Sequence, residues 1–158
     1  MDRYNQEFMK KAIQLAKENV SSGKGGPFGA IVVKEGKIIA EAMNEVTCCD
    51  DPTAHAELVA IRRACRELKT YQLTGCEIYS SCEPCPMCLG AIYWARPDSV
   101  YYAGTRKDAA ASGFDDDFIY DEMELSPKDR KIPFINLMRN EAVEVFREWD
   151  DSELKVNY

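Results

Sequence analysis

The chain has 158 residues, of which 46% are hydrophobic and 30% are charged, and its formal net charge is −7. This length fits one domain with a sizeable core, and no stretch approaches the roughly 20 apolar residues that a membrane-spanning helix needs. The acidic balance disfavours a nucleic-acid partner, because such partners are bound by neutralising their phosphates with lysine and arginine, so we expect a small-molecule substrate.

The first part of the chain predicts a helix followed by a hairpin. Residues 4–20 carry apolar or small residues at helical spacing, and the glycine-rich stretch at 23–29 ends that helix. Two apolar runs, 30–33 and 37–40, flank the dipeptide Glu35-Gly36. This is the pattern of a β-hairpin.

The rest of the chain alternates helices and strands before it becomes irregular. The predicted elements are, in order, a helix at 54–68, a strand at 77–80, a helix at 85–95 and a strand at 100–103. Such alternation favours an α/β fold with parallel strands, and the hairpin makes the sheet mixed. Residues 104–133 predict irregular structure, and 134–149 predict one more short strand and a helix. Because no repeat or linker divides the chain, we expect a single domain over residues 1–158.

The cysteines and the first residues bear on the cellular compartment. The chain contains seven cysteines, an odd number, and in a reducing compartment we expect thiols or metal ligands rather than disulfides. The first residues show no apolar signal segment, so we expect a cytoplasmic protein. Cys48 and Cys49 are adjacent in a predicted loop, and no chemistry evident in the sequence requires them.

One histidine, one glutamate and two cysteines form the pattern that carries chemistry. His55 is the only histidine of the chain, and Glu57 follows it two residues later. Cys85 and Cys88 are three residues apart, which places both thiols on one face of a helix near its start, where the helix dipole and a metal favour thiolates. Three protein ligands plus water are typical of catalytic zinc, whereas structural zinc has four closed positions. Zinc lowers the pKa of its bound water toward about 7, and Glu57 is the candidate acid–base residue.

The helix ends decide whether His55 and Glu57 can share a pocket. Residues i and i+2 of a regular helix point roughly 200° apart, so only a position at a helix end would bring both side chains into one site. We expect Pro52 and Pro84 to lie in the first turns of the two helices, with Asp51 as the cap before Pro52. Two helix N-termini would then point their ligands at one spot.

With these motifs in place, the chain resembles the cytidine and deoxycytidylate deaminase superfamily, whose mark is His-x-Glu followed by Pro-Cys-x-x-Cys. More closely, it resembles the bacterial guanine deaminases of that fold, and the likeness runs nearly end to end. The resemblance rests on six parts of the chain, two of which contain the metal motifs: Gly25–Ala30, Asp50–Glu57, Ser81–Pro97, Gly113–Asp116, Ile132–Phe134 and Tyr158.

The resemblance implies a three-layer α/β/α sandwich around a five-stranded mixed sheet. It implies one zinc ion per subunit, held by His55, Cys85 and Cys88. Glu57 would be the proton shuttle in the hydrolysis of guanine to xanthine and ammonia. The resemblance further implies a homodimer in which the C-terminal segment, about 134–158, covers the partner's active site. The sequence read alone also fits a C-terminal helix packed on its own domain.

The residues that the resemblance implies around the purine are Asn44, Asp116 and Tyr158. Guanine offers its N1–H and its exocyclic amine as donors, and a carboxylate such as that of Asp116 accepts both. A buried acceptor also rejects an analogue that lacks the donors. Phe28 could pack on the ring, although an aromatic beside glycine-rich turns is also typical of a core. The acidic run 115–117 would otherwise be read as a solvated loop.

Three alternatives stay open at this point. Another deaminase substrate would be tRNA adenosine, cytosine, guanosine, or an aminated triazine or pterin ring. A non-catalytic zinc-stabilised module would have no need of Glu57. A redox dithiol built on Cys85 and Cys88 would have no need of the upstream His-x-Glu.

Overall fold

The structure is a computed structural model that describes residues 4–158. The chain divides into two compact units, Met1–Asp116 and Asp117–Tyr158. The first unit contains helices α1 (Gln6–Ser22), α2 (Val46–Cys49), α3 (Ala56–Leu68), α4 (Pro86–Ala95) and α5 (Arg106–Ala111), and strands β1 (Gly29–Lys34), β2 (Lys37–Met43), β3 (Cys76–Cys82) and β4 (Ser99–Gly104). None of the helices within residues 4–158 combines the length and the apolar character that a membrane span requires.

The first unit is built on a mixed sheet with the strand order β2-β1-β3-β4. Strand β1 runs antiparallel to both β2 and β3, and β3 and β4 are parallel and joined through α4. The α/β class is confirmed, but the sheet has four strands within residues 4–158 rather than the expected five. The fifth strand expected within 134–149 is absent there, because that stretch folds largely as a helix and a strand needs a paired neighbour for its backbone groups.

Alternating side chains along the strands build a core on each face of the sheet. On β1, Ala30 and Val32 pack into the core that includes α3 and α4. Ile31 and Val33, the alternate residues, pack into the core that includes α1. Tyr79 of β3 is fully buried in this second core. The first unit therefore has the three layers, α/β/α, that the resemblance implied.

Local chemistry explains two of the boundaries in this unit. The hairpin between β1 and β2 turns at Glu35 and Gly36, both of which have positive φ angles, 50° and 72°. This is the geometry of the two-residue turns that suit the twist of paired strands. Strand β1 begins at Gly29, where an added Cβ would lie 2.4 Å from the backbone oxygen of Ala12, so only glycine allows this approach to α1.

The stretch 104–133, which the sequence predicts as irregular, contains two helices. Helix α5 is started by a reciprocal cap, in which Thr105 and Asp108 each bond the other's backbone N–H. The second unit comprises α6 (Asp117–Glu124), a 3₁₀ turn (Pro127–Asp129) and α7 (Arg139–Asp151). The prediction for 104–133 was wrong because helices of six and eight residues are too short to show a clear apolar period.

Candidate metal and catalytic site

Two helix starts in the first unit bring the predicted metal ligands together. His55 is the residue just before α3 and Cys85 the residue just before α4, and both have extended backbones. Neither side chain is used to cap its helix, so both can face a shared point. Cys88 follows in the first turn of α4 and is fully buried.

The prolines and Asp51 differ from the sequence-based expectation. Pro86, not Pro84, occupies the first turn of α4, and α3 begins four residues after Pro52. Asp51 caps no helix; its carboxylate accepts hydrogen bonds from the backbone and hydroxyl of Thr53, at 2.8 and 2.7 Å. The reason is that His55 must stay extended to face the cysteines, which delays the helix. This turn fixes the approach to His55, whose N–H donates to the Thr53 carbonyl.

The spacing of the three ligand atoms fits tetrahedral zinc. His55 Nδ1 lies 3.5 Å from the Sγ atom of Cys85 and 3.5 Å from that of Cys88. All three atoms lie within 4.8 Å of one another. Typical Zn–N and Zn–S bonds of about 2.0 and 2.3 Å at a tetrahedral angle separate nitrogen and sulfur by roughly 3.5 Å. The residues present therefore fit a zinc ion with little rearrangement.

Without metal, the two thiols and the imidazole titrate as a coupled group. The hydrogen bond from the Cys88 thiol lowers the pKa of Cys85 to about 4, and the same bond raises the pKa of Cys88. The hydrogen bond with Cys85 also raises the pKa of His55, although burial opposes this. One thiolate is thus already favoured beside the imidazole, and a bound dication would favour the second, since zinc ligands must be deprotonated.

Glu57 lies one residue inside α3 and points into the same site. Its side chain is 5% exposed, and its Oε2 atom lies 3.6 Å from the Sγ atom of Cys88. Because His55 stands outside the helix, the divergence of residues i and i+2 on a regular helix does not apply. Burial raises the pKa of Glu57, which moves this carboxyl toward the range where it can both take and give a proton.

Ser80 was missed in the sequence and is a direct partner of Glu57. Its hydroxyl donates to the Oε1 atom of Glu57 at 2.9 Å, and both side chains are buried. Ser80 and Ile78 lie on the same face of β3, the face covered by α3. A polar residue at an inward position of a buried strand was the signal that could have revealed it.

Asn44 follows β2 and is held in place by backbone groups. Its Oδ1 atom accepts hydrogen bonds from the backbone N–H groups of Val46 and Gly26, at 3.2 and 3.3 Å. Asn19, which the sequence did not single out, is buried and donates its amide to the carbonyl oxygens of Asn44 and Gly26. Gly25 permits this close packing, because an added Cβ would lie 2.1 Å from the Asn44 carbonyl oxygen.

The remaining predicted site residues divide between the two units. The rings of Phe28 and Phe114 meet edge to face, with centroids 4.9 Å apart; Phe28 also packs against the core. The hydrogen bond with Cys85 is the main cause of the raised pKa of His55, and the charges of Glu57 and Asp116 add to it. Asp116 therefore lies near the imidazole. Tyr158 ends the second unit, and its predicted role stays a prediction.

The fold and this site define the class of protein. A mixed α/β sheet, two helix starts that present one imidazole and two thiols, and a buried carboxyl beside them describe a zinc-dependent hydrolytic deaminase. The profile of the cytidine and deoxycytidylate deaminase zinc-binding region matches residues 2–104. The chain belongs to this family.

Individual relatives are similar over different shares of the chain. A guanine deaminase from Bacillus subtilis is 53% identical over 154 residues, which are 98% of this chain and 99% of that protein. The X-ray structure of a guanine deaminase from Bacillus subtilis superposes with a TM-score of 0.95 over the same shares. A guanine deaminase from Nitrosomonas europaea is 29% identical, with a TM-score of 0.67 over 94% of this chain and 86% of that one. A tRNA-specific adenosine deaminase from Aquifex aeolicus is 47% identical, over 63% of this chain and 66% of that protein.

Proposed function

We propose that the protein hydrolyses guanine to xanthine and ammonia. The observation that carries this proposal is the buried Glu57 carboxyl beside the cluster of His55, Cys85 and Cys88. Similarity to a guanine deaminase along nearly the whole chain supports the choice of base. We assign the three clustered residues as the ligands of one zinc ion per subunit.

The chemistry divides between the metal and the residues of the chain. When bound, zinc lowers the pKa of a coordinated water and so provides a nucleophile at neutral pH. Glu57 takes a proton from the attacking water while the water oxygen bonds to C2 of guanine, the carbon that bears the amine. The carboxyl passes this proton to a ring nitrogen, then takes the second proton from the hydroxyl group now on C2 and gives it to the leaving amine. The C2–N bond then breaks, so that guanine and water become xanthine and ammonia.

We assign the recognition of guanine to Asn44, Phe28, Asp116 and Tyr158. Because the Oδ1 atom of Asn44 already accepts two backbone N–H groups, its amide nitrogen is the part that can donate to a purine oxygen or nitrogen. The carboxylate of Asp116 can accept from the donors N1–H and the exocyclic amine of guanine. The half-buried ring of Phe28, braced by Phe114, offers an apolar surface to the base.

A tRNA adenosine substrate is the strongest competing function. Relatives of that activity match only about two thirds of this chain, and the match to the guanine deaminase includes the second unit as well. The net charge of −7 also disfavours a phosphate backbone. We therefore propose a free base as substrate and no nucleic-acid partner.

We further propose that the protein acts as a homodimer in the cytoplasm. Helix α7 has no buried residue, and Val145, Phe146 and Trp149 leave an apolar stripe exposed on it, which a second copy of the chain would cover. We propose that residues 134–158 serve the partner's site, and that the two units together work as one deaminase domain. None of the seven cysteines, all of which lie within residues 4–158, forms a disulfide, which supports a reducing compartment.

The proposed function is tested by an ammonia-release assay across several bases. Zinc-loaded protein is offered guanine, adenine, cytosine, guanosine, an aminated triazine, an aminated pterin and a tRNA anticodon stem-loop, with zinc content measured on the same preparation. We expect the highest kcat/KM for guanine and about one zinc per chain. Turnover of another substrate with none on guanine would overturn the choice of base, and zinc without any turnover would favour a binding module.

A further inference from the structure

Helix α2 presents two thiols that the proposed reaction does not use. Cys48 and Cys49 are the last two residues of this one-turn helix, and both are exposed. Their Sγ atoms lie 3.7 Å apart, and the Cys48 thiol also donates to the carbonyl of Glu45 at 3.5 Å. The pair therefore offers two sulfur atoms side by side on the surface.

The number of ligands limits what this pair can bind. Within residues 4–158, the one cluster of three or more histidine, cysteine or acidic side chains placed to share a metal is His55, Cys85 and Cys88. A zinc ion at Cys48 and Cys49 would have only two of the four protein ligands that a structural site requires. The central atom of a suitable ligand must be soft, since sulfur is a soft donor. It must also need no more than two bonds to the protein.

The helical backbone disfavours a disulfide between the same two atoms. An S–S bond is about 2.05 Å long, so the sulfur atoms would have to approach by roughly 1.6 Å. Neighbouring residues in a helix do not face each other, and this approach would distort α2. The hydrogen bond between the two thiols also raises the pKa of Cys49, and a less acidic thiol is oxidised less readily.

We propose that Cys48 and Cys49 form a bidentate binding site for trivalent arsenicals that carry one organic group. Such a compound, RAs(OH)₂, has two exchangeable hydroxyl groups. Each thiol forms an As–S bond as one As–O bond breaks, and each thiol proton leaves with a hydroxyl as water. The products are RAs(S-Cys)₂ and two water molecules, with no change of oxidation state at arsenic or sulfur.

The test uses zinc-loaded full-length protein with one equivalent of phenylarsine oxide. We expect intact-mass measurement to show one phenylarsenic group per chain, a thiol titration to show two fewer thiols, and ethanedithiol to reverse both changes. In Cys48→Ser and Cys49→Ser the affinity should fall at least about 100-fold, because only one bond remains and the intramolecular advantage is lost. The double variant should take up none while its zinc content and guanine turnover stay within twofold.

The matched control is Cys65→Ala, which removes a half-buried thiol from α3 and should leave arsenical uptake unchanged. If the double variant still takes up one equivalent, the reagent binds the thiols of the metal site and the proposal is wrong. Single variants that retain the affinity of the natural chain would equally contradict two-point binding.

Discussion

Glu57 is the single residue on which the proposed chemistry depends most. The carboxyl of Glu57 is buried, accepts a hydrogen bond from Ser80 and lies beside the cluster of metal ligands. Glu67, on the same helix, is exposed. Burial favours the protonated form of Glu57, and a bound dication would favour the charged form. The carboxyl therefore lies between two opposing influences, which is what a group that both takes and gives protons requires.

Replacing Glu57 by glutamine should separate metal binding from turnover. The amide keeps the shape of the side chain but cannot carry a proton, so we expect kcat to fall by about 10²- to 10⁴-fold with zinc content unchanged. Steady-state kinetics and metal analysis measure the two effects. Glu67→Gln, an exposed change on α3, serves as the control and should leave both unchanged. Near-normal kcat in Glu57→Gln would refute the assigned role.

Ser80 is expected to act through Glu57 as a positioning residue. In Ser80→Ala the Oε1 atom loses its donor, and we expect kcat to fall roughly 10-fold, within the 10- to 100-fold range typical of groups that orient active-site ligands. KM and zinc content should change less than twofold. Ser80→Thr keeps the hydroxyl and should restore most of the activity. A variant that lost only thermal stability, with kcat intact, would assign Ser80 a purely structural part.

At the scale of elements, the positions at which two helices begin determine the geometry of the site. Helices α3 and α4 each begin just after an extended ligand residue, and this places His55 and Cys85 outside the helical backbone while Glu57 and Cys88 lie in the first turns. Strand β3 lies next to β1 in the sheet and presents Ser80 to one layer and Tyr79 to the other. The same strand thus supports both the site and the packing of α1.

Tyr79 links β3 to the start of α1 and should make stability depend on alkaline pH. Its hydroxyl donates to Glu77 at 2.9 Å and accepts from the N–H of Asn5, the cap of α1. Burial raises its pKa to about 12, above the value of about 10 in an unfolded chain. The contribution of Tyr79 is therefore fully present below pH 10 and is lost as the pH rises through about 12.

Urea unfolding of the natural chain and of Tyr79→Phe measures this contribution. At pH 8 the variant should be less stable by about 1 kcal/mol, because two hydrogen bonds are lost. Between pH 8 and pH 11 the difference should shift by about 1.4 kcal/mol in favour of the variant, which has no phenol to ionise. Tyr102→Phe, at a half-exposed position on β4, should show no such shift. A pH-independent difference for Tyr79→Phe would contradict the account.

At the scale of the whole molecule, the proposed dimer determines which chain completes each site. The first unit contains the metal cluster and Glu57, whereas Tyr158 belongs to the second unit. The apolar stripe of α7 supports a contact between copies, since large exposed apolar patches mark interfaces. If residues 134–158 serve the partner's site, Glu57 and the C-terminal segment can be inactivated in separate chains, and the two chains can then be combined in one dimer.

Mixing two inactive variants tests this arrangement directly. Glu57→Gln retains Tyr158, and Tyr158→Ala retains Glu57, the proposed acid–base residue, so each homodimer should be inactive or weak. After unfolding and refolding of a 1:1 mixture, half of the dimers are mixed and each holds one complete site, so about 25% of the natural activity should return. Activity no higher than the mean of the two separate variants would show that the segment serves its own chain, or that no dimer forms.

The amino-acid sequence alone determined the fold class, one turn and the main residues of the metal site. The α/β class, the hairpin at Glu35-Gly36 and a three-ligand zinc site with a nearby carboxyl follow from local patterns, because apolar period, turn residues and ligand spacing are read within short stretches of chain. The deaminase family came from the resemblance of the motifs. A single histidine in the whole chain left one imidazole for the metal. The resemblance supplied guanine as the base, which the motif alone did not choose.

Tertiary structure decided what depends on residues distant in the chain. His55 lies just outside α3, and it can therefore share a site with Glu57. This position depends on the contact of His55 with Cys85, 30 residues away in the chain. The hydrogen bonds from Ser80 to Glu57 and from Asn19 to Asn44 join positions 23 and 25 residues apart. A local pattern can mark Ser80 as a polar residue at an inward position, but it does not identify the partner. The sheet, which has four strands within residues 4–158, and the short helices α5 and α6 also departed from expectation. Pairing partners and caps, rather than propensity, decide whether short segments become regular.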